Sequence, residues 1–136
     1  MLRIFILLHR LGQLFTRVNF IYRIYGMVYK LILRILYSMD FPLEVRFGSD
    51  LRIFHYYGIV LHKKVILGNN VTIRHGVTIG ERKGGVPKID DNVDIGVGAI
   101  VLGNIIVGRG AKVGAGAIVL HDVEPNQTII GVHVQE

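Results

Sequence analysis

The chain has 136 residues, 51% of them hydrophobic and 19% charged, with 16 Lys and Arg against 10 Asp and Glu for a formal charge of +6. That is length for one domain with a modest core, and a composition too apolar for a disordered chain. The absence of cysteine excludes a disulfide scaffold, a cysteine nucleophile and a thiolate metal site, and is compatible with a reducing cytoplasm.

Residues 1–39 read as an amphipathic segment of one or two helices, with no acid, no proline, and two glycines, Gly12 and Gly26, that soften the helical pattern. Six basic groups precede Asp40, whereas residues 41–136 hold ten basic groups and nine acids, so the basic excess is N-terminal. Arg3, Arg10 and Arg17 recur every seven residues, and Arg23 and Lys30 repeat the step, which sets the charges in stripes on an apolar surface. No charge-free run reaches the roughly 18 residues that span a bilayer, and the early arginines interrupt what would be the uncharged centre of a signal peptide. Two readings stand. In one, the apolar side packs against the rest of the protein or a sister subunit; in the other, residues 1–38 lie on an anionic membrane surface with Arg and Lys toward the headgroups. The expected location is the cytoplasm, free or peripheral on the inner membrane face. Nucleic acid is not an expected partner, because the charge beyond this segment is only +1.

Residues 40–136 form the second unit and carry a six-residue repeat. Large apolar residues fall at Phe47, Ile53, Ile59, Leu67, Ile73, Ile79, Ile89, Ile95, Val101, Val107, Val113 and Val119. Every step is six except Ile59 to Leu67, which is eight, and Ile79 to Ile89, which is ten; these mark a two-residue and a four-residue insertion. A second apolar or small set runs four places on, from Leu51 and Tyr57 to Ala117 and Val123. Glycine and asparagine gather between, where a sharply turning chain needs tolerance of positive φ. An ordinary amphipathic strand has period two. Period six is met by a triangular solenoid of short parallel strands, about 4.8 Å apart, with the aliphatic residue of each hexad pointing inward. The expectation is an all-β left-handed parallel β-helix of about four coils.

Such coils stack equivalent positions in columns. His55 is the third residue of the hexad at Ile53 and His75 the third of the hexad at Ile73, so the two are expected in one column, continued by Val97 and Ala115, with the loop from Glu81 to Lys88 beside them. A base at the head of a ligand groove and a pair of polar corner residues are both compatible with that pattern. The remaining histidines, His9, His62, His121 and His133, read as ordinary surface or helix residues.

The stretches HYYGIV from His55, GNNVTIRHGVTIG from Gly68, VPKI from Val86 and LGNIIVGRGAKVGAGAIVL from Leu102 resemble the hexapeptide-repeat acyltransferases of the serine acetyltransferase family, including short relatives that acetylate exopolysaccharide sugars. The resemblance implies acetyl transfer from acetyl-CoA to a hydroxyl, with His55 as general base and Asp40 orienting it. The chemistry suits the residues: imidazole, with an ordinary pKa of about 6.5, accepts a hydroxyl proton near neutrality, and a carboxylate on the other ring nitrogen fixes the tautomer. His75 is the second candidate base. The resemblance also implies a pantetheine arm against Glu81, Val97 and Ala115, along an edge completed by a neighbour, hence a homotrimer. Arg109 and Lys112 are candidates for the phosphates, with plain solvation as the competing reading.

Two departures matter. Where the serine enzymes carry an Arg-His pair ahead of Pro-Lys-Ile, this chain has Gly85 and Val86, and GVHVQE stands where a proline-containing turn and basic tail are usual. A free amino acid needs its carboxylate paired, so the expected acceptor is a neutral hydroxyl, of which a sugar in cell-surface polysaccharide synthesis is the obvious example. Against this stand a serine O-acetyltransferase, a non-catalytic membrane-associated trimeric scaffold, and a zinc hydratase. The last needs three converging histidines, and only His55 and His75 are expected in one column, so no metal is expected.

Overall fold

The computed structural model describes residues 2–14 and 19–133, and Arg17 of the basic stripe lies outside them. Two helices come first, α1 (Leu2–Leu14) and α2 (Asn19–Tyr37). A Cβ on Gly12 would stand 2.6 Å from the Tyr25 ring and 2.8 Å from Leu43, so this glycine lets the helices approach closely. Helix α2 stops at Ser38, which takes the left-handed conformation (φ 47°) and bonds back through its N–H to the Arg34 carbonyl at 3.2 Å.

The solenoid follows in coils. The first holds β1 (Arg46–Phe47), β2 (Arg52–Phe54) and β3 (Val60–Leu61); the second β4 (Ile66–Leu67), β5 (Thr72–Arg74) and β6 (Thr78–Gly80). The third holds β7 (Lys88–Ile89), β8 (Asp94–Ile95) and β9 (Ile100–Leu102); the fourth β10 (Ile106–Val107), β11 (Lys112–Val113) and β12 (Ile118–Val119), before β13 (Thr128–Ile129) and β14 (Val132–His133). They stack as three parallel sheets, β1-β4-β7-β10, β2-β5-β8-β11-β13 and β3-β6-β9-β12-β14, the three faces of the expected left-handed β-helix. The inward columns are fully buried, as at Ile73, Ile79, Ile89, Ile95, Val101 and Val119.

One part of the register differs from the expectation. Leu61, not Ile59, pairs with Ile79, and Ile59 takes the second column with Val77, Ala99 and Ala117, their carbonyls accepting in turn from Asp40, Val60, Thr78 and Ile100. The two-residue insertion therefore sits between Ile53 and Leu61, in the corner of His55, and not between Ile59 and Leu67. Both isoleucine and leucine are buried, so apolar spacing did not separate them; strand pairing did.

The helices close the lower end of the solenoid. Phe5, His9, Tyr29 and Leu33 are buried there, with the Phe5 ring 5.0 Å from Phe41 and the His9 ring 4.9 Å from Phe47. His9 is not a surface residue: it is fully buried, its Nε2 lying 3.0 Å from the Val45 carbonyl and its Nδ1 3.0 Å from the Tyr29 hydroxyl. Nε2–H donates to the carbonyl, and the Tyr29 hydroxyl, held protonated by burial, donates to Nδ1. Gln13 donates to the Leu43 and Val45 carbonyls, fixing α1 to the chain that enters the first coil.

Candidate active site

The three corners of the prism carry different chemistry. The corner between the first and second faces is a polar ladder, in which the Asn69 N–H donates to Asp91 at 2.8 Å and the Asn70 amide donates to Asn92 at 2.8 Å. Such a ladder satisfies its own groups and leaves little for a ligand.

The second corner joins the second and third faces. Gly58, Gly76, Gly98 and Gly116 stack there, with φ between 65° and 71°, the left-handed turn that each coil must make. Beside them the Gly76, Gly98 and Gly116 N–H groups donate to the carbonyls of Tyr57, His75 and Val97. Tyr57 therefore holds the first-coil rung of the column that His75, Val97 and Ala115 continue, and His55 is displaced from it by the insertion. Sequence spacing missed Tyr57 because the inserted residues were assigned one hexad too late. His55 itself is exposed and held at φ 55°, an uncommon conformation for a residue with a Cβ and one that functional sites often retain. The displacement does not separate the histidines: their rings lie 5.6 Å apart, edge to face at 82°. His75 is half-buried, and its buried Nδ1 has no hydrogen-bond partner among the described residues.

Beyond the histidines the same side of the prism bears a shallow groove lined by Arg74, Asp94, Gly96, Val97, Lys112, Val113, Gly114, Ala115 and Thr128. Arg74 is fixed in it by an ion pair with Asp94 and lies 6.0 Å from the Phe54 ring. Of the five sequence candidates for coenzyme binding, the groove brings together Val97, Lys112 and Ala115. It does not include Glu81 or Arg109. Arg109 pairs with Asp91 at 3.4 Å on the polar ladder. Glu81 is at the third corner, 3.7 Å from His62, because the loop leaves from the far end of β6; the expected position of that loop beside the histidines does not hold within one chain. Arg74, Asp94 and Thr128 were not singled out from sequence, although the pairing of Thr72, Asp94, Lys112 and Thr128 in one row is the signal that places three of the four around it.

The loop at the third corner is ordered by reciprocal backbone bonds between Arg82 and Gly85, 3.0 and 3.1 Å, across Lys83 and Gly84, both at positive φ. Asp40 lies at the foot of the third face, bridged to Val60, with its carboxylate 3.4 Å from Arg34. No hydrogen bond joins Asp40 to either histidine among the described residues. No group of three His, Asp or Glu side chains among them stands close enough to hold a metal ion.

No family model matches the chain. It is 45% identical over 101 residues to the serine acetyltransferase of Buchnera aphidicola subsp. Schizaphis graminum, covering 71% of this chain and 39% of that protein. It is 35% identical over 107 residues to the putative colanic acid biosynthesis acetyltransferase WcaB of Escherichia coli K12, covering 76% of this chain and 66% of that protein. Among solved structures, Neisseria gonorrhoeae serine acetyltransferase in complex with serine superposes with a TM-score of 0.85 at 35% identity, over 97% of this chain and 55% of that one. The chain belongs to the serine acetyltransferase family of hexapeptide-repeat acyltransferases.

It spans about half the length of the family members whose structures it matches. The likeness to these serine acetyltransferase-family structures covers nearly the whole of this chain, helix pair included. Within that shared frame, the histidine corner and the groove beside it are the parts where local chemistry is concentrated.

Proposed function

We propose that this protein is an acetyl-CoA-dependent O-acetyltransferase that acetylates a hydroxyl of a saccharide acceptor, with His55 as the general base. The observation that carries the reading is the histidine pair at the head of the Val97–Lys112–Ala115 groove in a chain of this family. Acetyl-CoA supplies the acetyl group as an activated thioester. Ala115 offers a small side chain and Val97 a bulkier apolar one along which an extended pantetheine arm lies, and Lys112 a cation on the rim. His55 takes the acceptor proton as the hydroxyl oxygen attacks, and returns a proton to the departing sulfur; His75 is assigned to orient that ring or to serve as the alternative base. Asp40 is assigned to orient His55. Its partner Arg34 is an exposed one, and such a pair exchanges readily.

The groove is shallow, and the Glu81–Val86 loop stands one corner away from it. In the homotrimer assigned to this chain, a neighbouring copy brings its third corner against the histidine corner to complete the site, and Glu81 and Arg82 take a place at the partner's histidines.

Gly85 and Val86 supply no side chain to pair an amino-acid carboxylate, and this favours the saccharide over serine. The serine reading is kept by the names of the relatives. Thiol release from acetyl-CoA, followed with a panel of neutral saccharides and with serine, separates them. Transfer to a saccharide with slow or absent turnover of serine is expected; efficient serine turnover at millimolar concentration overturns the choice of acceptor, and no transfer to any hydroxyl leaves the non-catalytic scaffold.

The helix pair is assigned to an anionic membrane surface at the cytoplasmic side. No helix among the described residues is long and apolar enough to cross a membrane. Helix α2 nevertheless turns Ile24, Met27, Leu31 and Ile35 outward, while Arg23, Lys30 and Arg34 line its flank without an acid on either helix. An interface with anionic headgroups takes both features together.

A further inference from the structure

On the C-terminal side of the third-corner loop lies a cavity of about 320 Å³ that is separate from the histidine corner and its groove. Arg82, Lys83, Gly103, Asn104, His121 and Asp122 line it. The loop is pressed onto the next coil there: a Cβ on Gly85 would come within 2.6 Å of the Asn104 nitrogen, and one on Gly103 would lie 3.6 Å from the Arg82 Cβ. The basic groups of this cavity are unmatched. Arg74, Lys88 and Arg109 each pair with an aspartate, whereas Arg82 and Lys83 have no ion pair among the described residues. The acid of the loop, Glu81, meets His62, and the Asp122 carboxylate accepts from the Ile106 N–H at 2.8 Å. Lys83 also stands at φ 53°, in a turn position that suits Asn, Asp or Gly. Among the described residues, only Ser38 at the end of α2, His55 and Lys83 hold positive φ without being Gly, Asn or Asp. A lysine kept there against its backbone preference points to its ammonium as what the position needs.

We infer that this cavity binds a phosphoryl group of the acceptor, so that the saccharide is a sugar phosphate or a sugar joined through a diphosphate. The inference rests on the acetyltransferase reading and names its substrate class. The Arg82 guanidinium and the Lys83 ammonium supply charge, and the Asn104 amide and the His121 ring supply further N–H donors. A carboxylate, with two oxygens and one charge, leaves part of that set unused. A phosphoryl group, with about two negative charges and three acceptor oxygens, takes it up. In the proposed trimer the same loop reaches the partner's histidines, so a phosphoryl group held by Arg82 and Lys83 presents the attached sugar to His55 of the partner subunit. Lys112, the cation given to the coenzyme, stands on the second face, which leaves the acceptor as the source of the phosphoryl group.

The test is calorimetric titration of the full chain, without acetyl-CoA, with glucose 1-phosphate, inorganic diphosphate, glucuronate and glucose. Saturable binding of both phosphates is expected, with glucuronate at least about tenfold weaker and glucose undetected. Arg82→Gln and Lys83→Asn, both at exposed positions, should each weaken glucose 1-phosphate at least about tenfold. The melting temperature should be unchanged in the first and equal or higher in the second, since asparagine suits the turn. Arg46→Gln, which removes the same charge from β1, should leave binding as it was. Equal affinity for glucuronate, equal weakening by Arg46→Gln, or binding that neither loop variant alters overturns the inference. So does loss of glucose 1-phosphate binding when coenzyme A is present at saturation, which gives the cavity to the coenzyme. Because the readout is binding, phosphate binding without acetyl transfer to any hydroxyl removes the proposed function and leaves the cavity, whereas transfer without phosphate binding removes only the cavity.

Discussion

The solenoid and the helix pair solve the same problem of burying aliphatic side chains in opposite ways. In the solenoid each coil covers the next, so Ile73, Ile79, Ile89 and Ile95 are wholly inside although every strand has only two or three residues. In the helices the solenoid covers one side, at Phe5, Tyr29 and Leu33, while Met27, Ile35 and Leu36 remain more than 60% exposed. A repeat is its own partner; a helix pair of this composition needs another, and here what is left exposed is apolar and basic together. That difference ties stability to the solenoid and leaves the helix pair as the region proposed to associate, with the histidine corner close to where they meet.

The largest expected contrast is in folding. Ile95→Ala opens a cavity in a column that has no freedom to collapse, and is expected to cost about 2–5 kcal/mol. Ile35→Ala, the same deletion on the outer face of α2, should stay within about 0.5 kcal/mol. Urea denaturation of both variants checks this, and equal losses would show that the helix face is covered in solution.

Chemistry should divide the regions as sharply. His55→Ala is expected to lower acetyl transfer at least about a hundredfold with an unchanged melting temperature and unchanged vesicle binding. Near-full activity there, with an inactive His75→Ala, moves the base to the neighbouring ring.

A smaller effect is expected from the helices. Neutralising both Arg23 and Lys30 to Gln should weaken binding to anionic vesicles by about 30-fold, at about 1 kcal/mol per charge, and leave transfer to a water-soluble acceptor intact. Flotation at increasing salt measures it, since binding of this kind falls as the Debye length shortens.

The smallest sits at the seam. Burial lowers the pKa of His9 from its ordinary value, with the Val45 carbonyl opposing. The unfolded chain therefore binds a proton below about pH 6.5 that the folded protein resists, so stability is expected to fall as pH drops through that range and to be flat for this group above it. His9→Gln, retaining a donor to Val45, should flatten the acid limb of the melting-temperature profile; an unaltered limb places the titration elsewhere.

Much of the architecture was legible because the chain repeats. Of the twelve aliphatic or aromatic residues counted at a period of six, eleven name the inward face of a triangular coil before any contact is known, Leu61 standing where Ile59 was expected, and the ten-residue step from Ile79 to Ile89 correctly marked the four-residue loop. The basic, acid-free character of residues 1–39 was equally plain. The site was legible only in part. His55 and His75 were paired by counting, and their rings do meet, yet the column partner of His75 is Tyr57. Ile59 and Leu61 are two apart and both apolar, so either could head the next turn.

Periodicity by itself thus determined the fold class, the interior residues and the existence of two insertions. Tertiary structure alone decided in which corner the shorter insertion lies, that Glu81 and Arg109 stand at different corners from Ala115, that His9 is a buried cap, and that Asp40 faces Arg34. The physical reason is one of range. A repeating side-chain pattern is set by the local alternation of the strand, whereas the corner each residue occupies is set by hydrogen bonds between backbone groups roughly one coil apart. Two registers that bury equal amounts of apolar surface are told apart only when those bonds form.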